Sequence, residues 1–227
     1  MDQTLSFDDW IAFVFDHPVS NYDPIWYYGI HFADPIRDSD LYPQTTIDYL
    51  TRLFESPIEP LALYSDEQIN QGLWFVVSNG GGDYMRVLEE LRVTFEDKQR
   101  LVEAVYCMYE KLFAGRCTPT LSHRDEADSN PINSICYMWW DLYGAFLRYT
   151  GEPLLQKLDE ISLAILEKIL YLEHDACIEG ALHGLGHAAY EYPERVDKII
   201  ATFLKKRHNL RPELKNYALS AQGGCIL

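Results

Sequence analysis

Wherever apolar residues recur in this chain, they recur every three or four positions. Ile69, Leu73, Val76 and Val77 make one such stripe, and Leu101, Val105, Met108 and Leu112 make a second. Leu155, Leu158, Ile161, Ile165, Ile169 and Leu172 cover a wider arc, the pattern of a deeply buried helix. Three to four residues is the helical repeat, and no segment shows the two-residue alternation of a half-buried strand. The expected fold class is all-α.

Start and stop signals divide these stripes into roughly nine helices. Ser6 caps a helix running to Asp16, with Asp8 and Asp9 in its first turn, where the helix dipole favours negative charge. Pro43 opens a second helix, with Ile47, Leu50 and Leu53 on one face. Ser65-Asp66-Glu67-Gln68 is a capped start, and Gly80, Gly81 and Gly82 are the matching stop, followed by a short helix over 83–91. Thr94 caps the next helix, which Gly115 ends. Asn130-Pro131 begins one that reaches about Tyr149, and Pro153 begins the wide-arc helix. Helices over 175–190, 194–206 and 212–221 complete the series. Two stretches break the rhythm. Residues 18–42 contain Pro18, Pro24 and Pro35 and no period, while residues 116–130 are polar and expected to form an exposed loop.

So many helices joined by short turns cannot share one closed core, so a right-handed stack of helix pairs is expected. The whole of 1–227 is expected to be one helical domain. Its first part, 1–64, would hold acidic helices and a flap, and 65–227 the stacked pairs. An internal echo fits repetition: Tyr106-Cys107-Met108-Tyr109-Glu110-Lys111-Leu112-Phe113 is similar to Cys136-Tyr137-Met138-Trp139-Trp140-Asp141-Leu142-Tyr143.

Charge and cysteine usage narrow the partners. Residues 1–90 hold 16 Asp and Glu against 3 Lys and Arg, a net of −13, out of −16 for the chain. That excess argues against nucleic-acid or anionic-membrane binding and favours steering of a basic protein. Five cysteines without a C-x-x-C pair fit reduced thiols in the cytoplasm better than a disulfide framework. Asp2, Asp8 and Asp9 stand where a signal peptide would carry basic residues, and no apolar run approaches a membrane span.

The segment Glu179-Gly180-Ala181-Leu182-His183-Gly184-Leu185-Gly186-His187-Ala188-Ala189, then Pro193, Val196, Ile199, Ile200, Phe203 and Leu204, resembles a HEAT or armadillo-type unit. In such units a small-residue-rich helix pairs with an amphipathic one across a short turn. The resemblance is strongest over 175–206, with 65–91 a looser version. It implies an irregular α-α superhelix, carrying a long aromatic-acidic N-terminal loop, that binds another macromolecule. It transfers no site residue, because these repeats share packing positions and not chemistry. The expected function is accordingly a non-enzymatic protein-binding domain, acting as adaptor, inhibitor or immunity-like partner, with no catalytic residues and no cofactor.

Two groups of residues stand out as candidates. The first is the aromatic-acidic stretch, where Trp26, Tyr27 and Tyr28 offer rigid contact area and Asp23, Asp34, Asp38 and Asp40 offer selection for a basic partner. The same aromatics could instead cap the open end of the helical stack. The second is His183 and His187, four residues apart and so roughly 40° apart on a helix, with Glu179 one turn earlier. That spacing allows a metal-dependent hydrolase as the alternative, although Gly184 occupies the place where zinc proteases carry a glutamate. On the helical wheel, Ile178, Ala181, Leu182, Leu185 and Ala189 form the buried stripe, and both histidines point roughly 150–180° away from it. They are therefore expected at the surface or between helices. A small-molecule site under the aromatic flap is the third reading. Cys177 near a helix start has the position of a low-pKa thiol, with a small buried thiol as the plainer account.

Overall fold

The computed structural model describes residues 5–19, 26–28, 41–142 and 153–226, and among them every regular element is helical, with no strand. Ten α-helical segments follow in order: α1 Phe7–Phe15, α2 Pro43–Glu55, α3 Asp66–Val77, α4 Phe95–Cys107, α5 Ala114–Arg116, α6 Ile132–Leu142, α7 Pro153–Ile169, α8 Asp175–Ala188, α9 Pro193–Lys206 and α10 Pro212–Gln222. The local signals explain the starts. Ser6 Oγ accepts from Asp9 N, Thr94 Oγ1 from Asp97 N, and Ser65 with Gln68 closes a full capping box. Proline occupies the first turn of α2, α9 and α10. Asn130 Oδ1 takes Ile132 N–H at 2.9 Å and so opens α6.

Two stretches differ from the expected helices. Residues Tyr84–Glu89 wind as a 3-10 turn entered through Asp83 at φ 52, a left-handed residue that aspartate tolerates better than most. The helix expected to run unbroken to Gly115 passes instead through a π-helical turn, Met108–Phe113, before α5. The end of the helix expected at Tyr149 lies outside the described residues.

The helices form two rows. In one, α1 packs on α3, α3 on α6, α6 on α8 and α8 on α10; in the other, α2 packs on α4 and α4 on α7. Contacts of α7 with α8 join the rows, and α9 packs on α8 and α10. With α5 counted as the tail of α4, each helix of a row leans on the helix two places along. The buried apolar side chains form one continuous cluster running through both rows, with Trp10, Trp139, Trp140 and Tyr109 its largest fully buried members.

Helix α8 sits where the most neighbours meet. Twelve of its fourteen residues are buried, so it has no solvent face. Its glycines are the reason. A Cβ on Gly180 would lie 2.5 Å from the Cys136 carbonyl oxygen, one on Gly184 2.6 Å from Trp140 Cγ, and one on Gly186 2.4 Å from Ile226 Cγ2. Helix α6 and the C-terminal residues thus close on faces that a wheel of apolar residues alone leaves open. Of the two places expected for the histidines, surface or between helices, His183 takes the second and is buried, and His187 is half-buried.

Candidate functional site

Along α8, the polar side chains Glu179, His183 and His187 follow one another every four residues, a line that runs down one edge of the helix. Around it gather His123 from the 116–130 segment, Tyr137 and Asp141 from α6, and Tyr217 from α10. The result is a polar seam inside the first row.

Glu179 is fully buried. Its Oε2 accepts from Ser122 N at 2.9 Å, and its Oε1 accepts from His123 N at 2.9 Å and meets His123 Nδ1 at 2.6 Å. Burial pushes the Glu179 carboxyl up from its ordinary value, while the donors from His123 and Ser122 pull it down. The 116–130 segment, expected to be an exposed loop, is therefore anchored. Leu121 and Cys117 are buried, and Arg211 reaches Glu126 and Pro119 O from the start of α10. The His123 ring stacks on Tyr217, with centroids 4.2 Å apart.

The second half of the seam is a chain of single hydrogen bonds. His187 Nε2 lies 3.1 Å from His183 Nε2 and 3.5 Å from Asp141 Oδ1. His183 Nδ1 lies 2.8 Å from the Tyr217 hydroxyl, which is 3.0 Å from the Tyr137 hydroxyl. Burial, then the neighbouring His187, lowers His183 to about 3. Burial lowers His187 as well, against the pull of Asp141. Both rings are neutral near pH 7, and this sets the direction of the chain. His187 Nε2 faces a carboxylate and an imidazole, so it carries the hydrogen and donates. His183 then accepts at Nε2 and donates from Nδ1 to Tyr217, whose hydroxyl donates to Tyr137. Burial raises both tyrosines, so the chain stays fully protonated.

No family model, curated protein or solved structure matches this chain. His183 spends both ring nitrogens inside the network, and Glu179 is spent on Ser122 and His123. The metal set His183, His187 and Glu179 therefore does not assemble; Asp141, not Glu179, is the carboxylate that reaches His187. Among the described residues, no group of three or more His, Cys, Asp or Glu side chains is arranged to hold a metal ion.

Of the aromatic-acidic stretch, Trp26 and Tyr27 are placed. The Trp26 ring stacks on His17 at 3.7 Å and 9° and leans on Phe75 at 4.6 Å; Tyr27 is buried against Phe75 at 5.3 Å. With the Gln71 amide turned to face it, Gln71 accepts from both Trp26 Nε1 and Trp26 N at 3.2 Å. These two rings thus cover the open end formed by α1 and α3. Asp23, Asp34, Asp38 and Asp40 lie outside the described residues, as does the Tyr28 side chain. In the second row, α2 and α4 border a groove of about 360 Å³ lined by Asp48, Thr51, Arg52, Glu55, Ser56, Asp97 and Arg100. Arg100 is held there by a two-pronged bond to Glu55, and Gln44 spans Asp48 and Asp97.

The seam residues missed by sequence reasoning are His123, Tyr137, Asp141 and Tyr217. The spacing of Glu179, His183 and His187 was the available signal. Polar residues every four positions on a helix otherwise made of small and apolar residues ask for buried partners elsewhere in the chain.

Proposed function

We propose that this chain is a non-enzymatic protein-binding domain that recognises a basic protein partner, as an adaptor or inhibitor would. The observation that carries the reading is where its polar groups go. Those of the seam are consumed by one another, while the chain's surplus of carboxylates falls in residues 1–90. A surface of one sign steers and selects a partner of the other, and its contribution is weakened by salt. The two rows of helices, each leaning on the helix two places along, support reading the architecture as an irregular α-α superhelix of the HEAT or armadillo kind. Such a scaffold offers long outer faces for a partner, and Asp23, Asp34, Asp38 and Asp40 with the groove between α2 and α4 are the contact region assigned to it. No membrane partner is assigned: among the described residues, no helix is long and apolar enough to cross a membrane.

The test is affinity capture from the native cell at low salt, run in parallel with a variant carrying Asp23→Lys, Asp34→Lys, Asp38→Lys and Asp40→Lys. A basic protein retained by the parent chain, released at about 0.5 M salt and lost in the variant is the expected result. A partner held equally by both chains at high salt would overturn the electrostatic reading. Stoichiometric zinc, iron or manganese in protein purified without chelator would overturn the non-enzymatic one.

A further inference from the structure

A second cluster, separate from the seam, lies where the π-helical turn meets α6 and α8. Tyr109, inside that turn, touches both helices. Its hydroxyl donates to Cys136 O at 2.9 Å, and its own carbonyl accepts from Cys177 Sγ at 3.8 Å. Cys136 Sγ in turn donates at 3.6 Å to Ala176 O, the carbonyl immediately before Cys177. The Cys136, Cys177 and Cys117 thiols lie close enough to perturb one another's ionisation. Gly180 permits the approach, since a Cβ there would meet Cys136 O at 2.5 Å and the Tyr109 hydroxyl at 3.1 Å. His174 completes the group. Its Nε2 is tied to Cys117 O at 3.1 Å, and its buried Nδ1 makes no conventional hydrogen bond and lies beside the Cys177 thiol. A π turn costs regular helical bonding and is found disproportionately at working sites. Here it presents one residue to the Cys136 carbonyl and to the Cys177 thiol.

We infer that Cys136 and Cys177 are a dithiol pair that closes reversibly into a disulfide, tying α6 to α8, when the protein meets an oxidant of the hydroperoxide class. His174 takes the proton of Cys177. The Cys177 sulfur attacks the peroxide, so that a sulfur–oxygen bond forms, the oxygen–oxygen bond breaks, and the departing oxygen takes the proton back from His174 to leave as an alcohol, or as water when the oxidant is hydrogen peroxide. Cys136 then attacks the sulfenic sulfur of Cys177. The sulfur–sulfur bond forms, the sulfur–oxygen bond breaks, and the hydroxide leaves as water with the Cys136 proton. Two thiols and one peroxide become one disulfide, one alcohol and one water. The roles follow from the surroundings. Contact with Cys136, then with His174, brings the Cys177 thiol down to about 7 against the effect of burial. Burial pushes Cys136 up, as suits the resolving thiol.

The experiment treats the reduced, folded, full-length chain with hydrogen peroxide, blocks remaining thiols with N-ethylmaleimide and maps peptides without reduction. The pair predicts one cross-linked peptide joining Cys136 to Cys177, lighter by two hydrogens and restored by dithiothreitol, with Cys117 alkylated. His174→Gln slows its formation roughly tenfold at pH 7 and moves the rate's pH dependence upward, an effect that a packing role alone would not have. Accessibility alone predicts the opposite outcome, because Cys225 is exposed and Cys107 half-buried while Cys136 and Cys177 are buried. Oxidation confined to Cys107 and Cys225 would overturn the inference, as would a bridge that uses Cys117. Bound stoichiometric zinc that protects all three buried thiols would overturn it too. The map of the unmodified chain decides between these even if a cysteine variant fails to fold.

Discussion

The α1–α3 end and the α6–α8–α10 seam are both packed interiors built largely from rings, yet they are held by different forces. At the α1–α3 end, Phe13, Trp26, Tyr27 and Phe75 meet edge to face or tilted, with centroids 4.6 to 5.9 Å apart, and most of what they exchange is apolar surface. In the seam, His123, Tyr137, His183 and Tyr217 lie as close, but each also gives or takes a hydrogen bond. Apolar packing fails gradually, in proportion to the surface and cavity lost. A buried polar network fails abruptly, because removing one member strands its partners.

The largest expected effect tests that contrast at Glu179. Glu179→Ala strands two backbone N–H groups and the His123 ring at a fully buried position, and should cost about 4 kcal/mol or prevent folding. Glu179→Gln keeps the shape and one acceptor and should cost roughly half as much. Equal losses for the two substitutions, measured by urea denaturation, would mean the carboxylate only fills space. At the other end, Phe75→Ala removes a ring shared by Phe13, Trp26, Tyr27 and Tyr84 and should cost about 3–4 kcal/mol. That cost should be the same at pH 7 and pH 5, since none of the rings packed directly on Phe75 titrates in that range.

The two regions also separate by pH. Folding lowers His183 from its ordinary 6.5 to about 3, so the unfolded chain binds the proton more readily than the folded one. Stability is then full above about pH 6.5 and falls as the pH drops toward the folded value. The slope is about 1.4 kcal/mol per unit, or about 2 kcal/mol lost by pH 5. His187, lowered in the same direction, adds to the slope. Denaturant melts at pH 7, 6 and 5 should show this decline in the parent chain and in Phe75→Ala, and a flatter profile in His183→Gln. A parent chain as stable at pH 5 as at pH 7 would mean that the imidazole is not held neutral.

Helix starts were legible because a cap is a local event: Ser6, Ser65, Thr94 and Asn130 sit within three residues of the N–H groups they satisfy. The burial of His183 was not, because it depends on contacts made far along the chain. Tyr217 is 34 residues from His183, Glu179 is 56 from His123, and Tyr137 is 80 from Tyr217. A helical wheel shows Gly180 and Gly184 as a small-residue face that a neighbouring helix can approach, but is blind to which neighbour fills it. In the fold those glycines set the helix spacing and turn a polar edge into an interior. The same blindness hid the π turn, since the hydrogen bonds that occupy Tyr109 come from α6 and α8.

The smallest effect sharpens the comparison most. Tyr217→Phe and Tyr137→Phe each delete one hydroxyl of the seam's inner end and leave the rings in place. In an apolar interior each change would be close to neutral. Here Tyr217→Phe removes the acceptor of His183 Nδ1–H and should cost about 1.5 kcal/mol. Tyr137→Phe removes the acceptor of the Tyr217 hydroxyl and should cost about 1 kcal/mol. If the bonds run from His187 to Tyr137, the double variant should cost roughly 0.5–1 kcal/mol less than the two single losses together, because the second deletion removes a bond already gone. Additive losses would mean that each hydroxyl finds its partner elsewhere. The seam would then be a set of separate contacts and no longer one chain, and its difference from the aromatic end would reduce to the buried carboxylate of Glu179.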